Sequence, residues 1–335
     1  MVTIRDVAKA AGVSTSTVSR VLDERLPRSS SATAERVRRL AAELGYVRDP
    51  LASGLRRAGT STIGVIVPRL TDTVMAMLYE EIAAAGAARG IFSVVAGTED
   101  DPEAEQRAAQ SLLRRRVDGL ILTTARLDAP EPEPPGPGRA VPRVLALRTD
   151  GRGPASVGDD RLGARLATRH LLDLGHRRIG LVGGPVYASS AVRRHEGYRD
   201  ALAELGVPYE PGLVEGDSFS MEAGEGAGRR LLSRSDRPTA VFAVNDNTAI
   251  GVLAAAHHLG LRVPEDLSVV GYNDIPVASR LPVPLTTVRV PFDQVAQGAL
   301  RLLLDRGDDT GPPVTLTATP TLIPRGSTRA PRTSR

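Results

Sequence analysis

The sequence predicts a small all-α module followed by an α/β body of doubly wound parallel sheets. Apolar residues recur at helical spacing through the first 45 residues. From Ser61 onward, short apolar runs alternate with amphipathic stretches, as in parallel sheets covered by helices. Charge separates the two parts. Residues 1–60 hold eleven Lys and Arg against six Asp and Glu, whereas the remainder holds 32 against 33. A basic end on an acidic body suggests a polyanion-binding module joined to a unit with another task.

Composition removes several classes of function. The 335 residues suffice for two or three domains. There is no cysteine, which excludes disulfides, thiolate metal sites and cysteine nucleophiles. Tryptophan is absent and aromatics are 3%, too few for a single-strand stacking platform. No stretch approaches the ~20 apolar residues of a membrane span. Charges occupy Met1–Lys9, where a signal peptide needs an apolar run. The expected compartment is the cytoplasm, with no membrane partner.

The module reads as three helices. Thr3 caps the first, with Ile4, Val7, Ala8 and Ala11 on its inner face, and Gly12 stops it. Ser14 caps the second, whose inner residues are Val18, Val21 and Leu22. Pro27 and serines 29–31 form a loop. Val37, Leu40, Ala41 and Leu44 then mark the third helix, ended by Gly45. The first pair has helix-turn-helix spacing: Ala8 permits a close crossing, Gly12 tolerates positive φ at the turn, and Val18 anchors the second helix. With the basic bias, this points to double-stranded DNA.

The segment VTIRDVAKAAGVSTSTVSRVL, residues 2–22, resembles the DNA-binding start of the lactose/galactose-repressor family of bacterial transcription regulators. The resemblance implies that the second helix lies in the major groove. Thr15, Ser16 and Arg20 would then face base edges, and an arginine can donate twice to guanine O6 and N7. Ser14, Thr17 and Ser19 would bond phosphates, as would Thr3 and the backbone donors at the start of the first helix.

Residues 47–60 read as a hinge. Pro50 suits a first helical turn, and Leu51, Ala52 and Leu55 share a face. The helix is too short to persist alone, and Gly54 weakens it further. The resemblance implies paired hinge helices of a dimer entering the minor groove, with Leu55 as the wedge and Ala52 as the small residue before it. Arg56 and Arg57 would meet phosphate.

In the body, the expected strands are 63–68, 92–96, 119–123, 144–147, 179–183, 240–244 and 267–271. Helical stretches include 74–89, 103–116, 161–174, 191–205 and 247–259. The resemblance continues through TIGVIVP (62–68), RRVDGLIL (115–122), LGHRRIGLVGGP (174–185), PTAVFAVND (238–246), VPEDLSVVGYNDIP (263–276) and LTTVR (285–289). It implies a type I periplasmic-binding-protein-like effector domain of two subdomains, with crossings near Asp160, Val288–Val290 and Pro320. The expected boundaries are 1–46 for the helix-turn-helix, 47–60 for the hinge, 61–323 for ligand binding and dimerisation, and 324–335 for a basic tail. Within the body, the subdomains would be 61–160 plus 290–320, and 161–289.

The same resemblance places a ligand in the cleft between subdomains, beyond the carboxyl ends of the strands. Arg194 matches an arginine that grips a sugar hydroxyl or carboxylate. Asn245, Asp246 and Asn273 stand at strand ends, and Asp159 precedes a helix. Asp72 stands where the family has asparagine before Pro-Phe-Phe; here Thr73, Val74 and Met75 follow, so an aromatic contact is missing. Leu147 replaces a common strand-end aspartate. Residues 128–138 carry five prolines and predict an exposed extended loop instead of a helix.

No catalytic arrangement is evident. Gly216-Asp217-Ser218 lacks a nucleophile elbow, and the five histidines form no partner set. Gly224, Gly226 and Gly228 lack the strand that precedes a dinucleotide fingerprint. His170 and His176 are badly spaced for a metal on one helix face. A plain solute-binding protein would need a signal peptide and would lack residues 1–60. The expectation is a non-enzymatic regulator, a repressor that binds a palindromic operator as a homodimer or higher oligomer. A small polar effector, a sugar or derivative, controls it, without metal or cofactor.

Overall fold

The structure is a computed structural model and describes residues 2–22, 29–46, 61–128, 141–305 and 312–332. The chain divides into two compact units, residues 1–60 and 61–335. Residues 47–60 and 129–138, expected as hinge and extended loop, lie outside the described residues.

The first unit contains α1 (Ile4–Ala11), α2 (Thr15–Val21) and α3 (Ala32–Glu43). Ser14 and Ser31 cap the second and third, their hydroxyls accepting from the amides of Thr17 (3.1 Å) and Ala34 (3.2 Å). Gly12 ends α1 at φ 64° and ψ 33°, a conformation in which a side chain would be strained. Val7, Ala8, Ala11, Val18, Val37 and Ala41 form the core. Small residues on α1 let the three helices approach closely, as the spacing predicts.

The second unit holds two parallel sheets. Six strands lie in the first: β1 (Thr62–Val67), β2 (Phe92–Gly97), β3 (Gly119–Leu122), β4 (Arg143–Ala146), β5 (Ala155–Gly158) and β11 (Thr315–Ala318). Their order is β11-β5-β4-β3-β1-β2. Helices α4 (Thr73–Ala87) and α10 (Phe292–Leu304) pack together on one face, and α5 (Pro102–Arg114) packs against β1 and β2. The second sheet contains β6 (Ile179–Val182), β7 (Val214–Glu215), β8 (Ala240–Ala243) and β9 (Ser268–Val270), in the order β7-β6-β8-β9. Helices α6 (Asp160–Asp173) and α7 (Ser189–Glu204) form one pair around it, and α8 (Met221–Leu232) and α9 (Asp246–His258) the other. In both sheets the chain starts centrally and winds outward both ways, which creates a crevice at the strand carboxyl ends.

All seven expected strands occur, with no end shifted by more than one residue. The chain passes from β5 to α6 at Asp159, from β10 (Thr287–Arg289) to α10, and from β11 to β12 (Thr321–Ile323). Strands β10 and β12 pair antiparallel, and the Asp159 amide donates to the Ala318 carbonyl (2.9 Å). The first half therefore comprises residues 61–158 and 292–318.

One expectation needs correction. Residues 324–332 are not a tail but part of the second half. The Val269 amide donates to the Ser327 carbonyl (2.9 Å), and the Ser327 hydroxyl donates to the Val269 carbonyl (2.6 Å). Arg325 pairs with Asp274 (2.6 Å) and Arg332 with Asp266 (3.1 Å). Two of the arginines that read as a basic end, Arg325 and Arg332, are thus partnered by body aspartates. The glycines at 224 and 228 also find a role: they face α9, and a Cβ on Gly224 would collide with the Thr248 backbone.

Candidate functional site

On α2, Ser16 and Arg20 are one turn apart and exposed, whereas Thr15, Thr17 and Ser19 are half-buried. Arg20 has no ion-pair partner among the described residues. The Ser14 hydroxyl is occupied as the cap, and it also lies 2.7 Å from the Ser16 hydroxyl and 2.9 Å from that of Thr17. Thr3 departs from its expected role. Its amide (2.8 Å) and hydroxyl (2.7 Å) both donate to Asp6, whose carboxyl they hold below its ordinary value. Asp6 thus occupies the Thr3 amide and hydroxyl. Ala52, Leu55 and Arg56 lie outside the described residues.

The body presents a second constellation where its halves meet. Asp72 caps α4, accepting from the Val74 amide (3.1 Å), and its Oδ1 also accepts from Asn247 of the second half (3.4 Å). Burial raises the Asp72 carboxyl; the Val74 amide and the Arg148 charge oppose the rise. Arg148 follows β4, is buried, and donates through Nη1 to both Asp100 oxygens (3.0 and 3.1 Å). Asp100 also accepts from the Tyr187 hydroxyl of the second half (2.9 Å). The Arg126 guanidinium stands 3.5 Å over the Tyr187 ring and bonds Asp128 with two 2.9 Å contacts. Phe219 follows β7, with its ring 5.4 Å from the Arg148 guanidinium.

Arg194 is buried beneath this region. It donates through Nε to Asp160 (2.8 Å) and through Nη1 to the Val244 carbonyl (2.7 Å), and lies 3.8 Å over the Tyr272 ring. Part of the guanidinium fork expected for ligand is thus committed to the protein. Asn245 caps α9, and its Nδ2 donates to the Phe219 carbonyl (3.0 Å), which fixes that aromatic. Asn273 is buried at φ 102° with its Oδ1 unpartnered, as is the buried Oδ1 of Asn247.

Two expected ligand residues serve the scaffold. Asp246 is fully engaged: Oδ1 accepts from the Thr287 hydroxyl (2.6 Å) and Oδ2 from the Ile275 amide (2.8 Å). Burial pushes its carboxyl up to about 7. Asp159 caps α6 through Leu162 (3.0 Å) and lines an open outer depression of about 590 Å³ between α6 and α7, away from Arg148 and Tyr187. Charges in that depression are already paired, as in Arg165–Glu204 at 3.0 Å.

Asp100, Arg126, Arg148, Tyr187, Asn247 and Phe219 escaped the sequence reading. All follow strands or open helices, but no spacing links them. Phe219 had a usable signal: it stands beside Gly216-Asp217-Ser218, which sequence reading tested only for hydrolase chemistry.

Comparison with known proteins bears on both constellations. Residues 3–49 match the description "Bacterial regulatory proteins, lacI family", and residues 168–328 match "Periplasmic binding protein-like domain". The chain is 36% identical over 330 residues to the ribose operon repressor of Escherichia coli (strain K12), covering 98% of this chain and 100% of that protein. It resembles the structure of the lac repressor dimer bound to operator and the anti-inducer ONPF (TM-score 0.83, 31% identity, 98% and 99% covered). A similar likeness holds to the transcriptional regulator CelR–cellobiose complex (TM-score 0.73, 33% identity, 98% and 100% covered).

Proposed function

This chain belongs to the lacI family of bacterial regulatory proteins, and we propose that it is a repressor whose effector is a neutral sugar. As a member of that family it is a DNA-binding transcriptional regulator and not an enzyme. No helix among the described residues is long and apolar enough to cross a membrane. The protein works in the cytoplasm, as a dimer on a palindromic operator.

One observation carries the choice of effector. Three arginines of this region each have an aspartate partner: Arg126 with Asp128, Arg148 with Asp100, and Arg194 with Asp160. The charges of these three are thus already answered within the protein, so none of them calls for an anionic ligand. The unpartnered amide oxygens of Asn247 and Asn273 call for donors, which sugar hydroxyls supply. Phe219 offers a ring to the C–H side of a sugar. The names of the similar proteins, a ribose operon repressor and a cellobiose complex, support this reading.

On DNA, Arg20 reads guanine while Thr15 and Ser16 set the preferred base, and Ser14, Thr17 and Ser19 contact the backbone. Leu55 wedges into the minor groove, flanked by Ala52 and Arg56. Effector binding changes the cleft and, through residues 47–60, the operator affinity. Calorimetry against neutral mono- and disaccharides, with sugar phosphates and purine bases as controls, tests the effector. Binding of a neutral sugar is expected. Binding confined to an anion or a base would overturn the assignment.

A further inference from the structure

Three hydrogen bonds join the halves around Tyr187. Its hydroxyl donates to Asp100 at 2.9 Å, its carbonyl accepts from the Leu127 amide at 2.8 Å, and Ser189 accepts from the Thr149 amide at 2.9 Å. The rest of the second half's face at this point is loop, and Val186, next to Tyr187, is 84% exposed. Tyr187 thus joins the walls through both its side chain and its backbone.

The first half is built to receive it. Leu147, just after β4, carries no carboxylate. Asp100 brings one from the loop after β2, at a backbone cost. Glu99 and Asp100 both have positive φ, 55° and 62°. Arg148 holds that carboxylate from one side, leaving Oδ2 to accept from the tyrosine as well. Arg126, itself clamped by Asp128, places its guanidinium carbon 3.5 Å from the centre of the Tyr187 ring. A charge-assisted bond and a stacked cation therefore fix one phenol.

We propose that Tyr187 and Asp100 form a latch across the cleft, making them positioning residues for the effector response. A sugar entering the cleft must open or re-form this bond, so its strength sets how readily the halves move. The last step rests on the regulator reading given above. The latch itself does not.

The test uses the full chain without sugar. Tyr187→Phe keeps the ring and its cation contact and removes only the hydroxyl. Asp100→Asn removes the charge. Hydrogen exchange is read at peptides containing the Leu127 and Thr149 amides, with peptides from β1 and β8 as internal references. Operator affinity is measured in parallel. Each substitution should speed exchange at Leu127 and Thr149 about ten-fold, the loss of one charge-assisted hydrogen bond. The reference peptides should not change. The double variant should be no faster than either single one, and both singles should shift operator affinity in the same direction. Unchanged exchange in Tyr187→Phe, additive effects, or unaltered operator affinity would overturn the latch. A failed sugar screen alongside coupled exchange would instead count against the effector assignment alone.

Discussion

Arg194 donates to Asp160 across 2.8 Å, and both side chains are more than nine-tenths buried. Burial raises the Asp160 carboxyl, and the Arg194 charge is the largest opposing influence. Each group makes the other tolerable in the interior. Arg194→Ala should therefore destabilise the protein by about 3–5 kcal/mol, because it strands a buried carboxylate. Replacing both, as Asp160→Asn with Arg194→Met, should cost less than Arg194→Ala alone. Urea unfolding of the single and double variants measures this. A double variant as unstable as the sum of its singles would disprove the coupling.

Asp246 ties α9 to the crossing strands through Thr287 and Ile275, and its carboxyl sits near 7 because it is buried. Its unfolded value is lower, so between the two the native state binds more protons. Stability from this group is therefore lost as pH rises toward and through 7. Asp246→Asn should flatten that dependence. Melting temperatures between pH 5.5 and 8 should fall less steeply in the variant. Identical slopes would remove Asp246 from the pH response.

What the sequence made legible follows from how local each feature is. Thr62–Val67 and Ala240–Ala243 are continuous apolar runs, so their strands stood out. The Gly12 turn and the Ser14 cap lie within one short segment, and the helix-turn-helix emerged whole. Val214–Glu215 and Thr287–Arg289 are too short and mixed to show a period. Ser327 docks on Val269, 58 residues away, through polar atoms, which no apolar pattern reveals. The cleft fared similarly. Arg194 and Asn245 were found from a family resemblance, while Asp100 and Tyr187 meet only after two halves of the chain have folded and closed.

On the DNA side, Arg20→Ala should cost about 1–3 kcal/mol on the best operator and relax preference at one base pair per half-site. Competition gel shifts with single-base operator variants would measure this. A loss equal on every sequence would make Arg20 a phosphate contact.

Leu55→Ala should lower both affinity and DNA bending while leaving dimerisation and sugar binding as they were. Inserting a leucine between base pairs costs a few kcal/mol of unstacking, offset by contacts along the bent duplex. Circular-permutation gel shifts compare the bend angles. Equal bends and affinities would reduce residues 47–60 to a tether.

The most direct single measurement is fluorescence anisotropy of the full chain on a duplex that it has itself selected from random sequence, titrated with neutral sugars. The selected duplex should be palindromic, and its affinity should fall steeply with added salt. One sugar of the panel should change that affinity about ten-fold or more, within the usual range of allosteric coupling. A palindrome bound equally tightly at every concentration of every sugar would contradict the regulator proposed here.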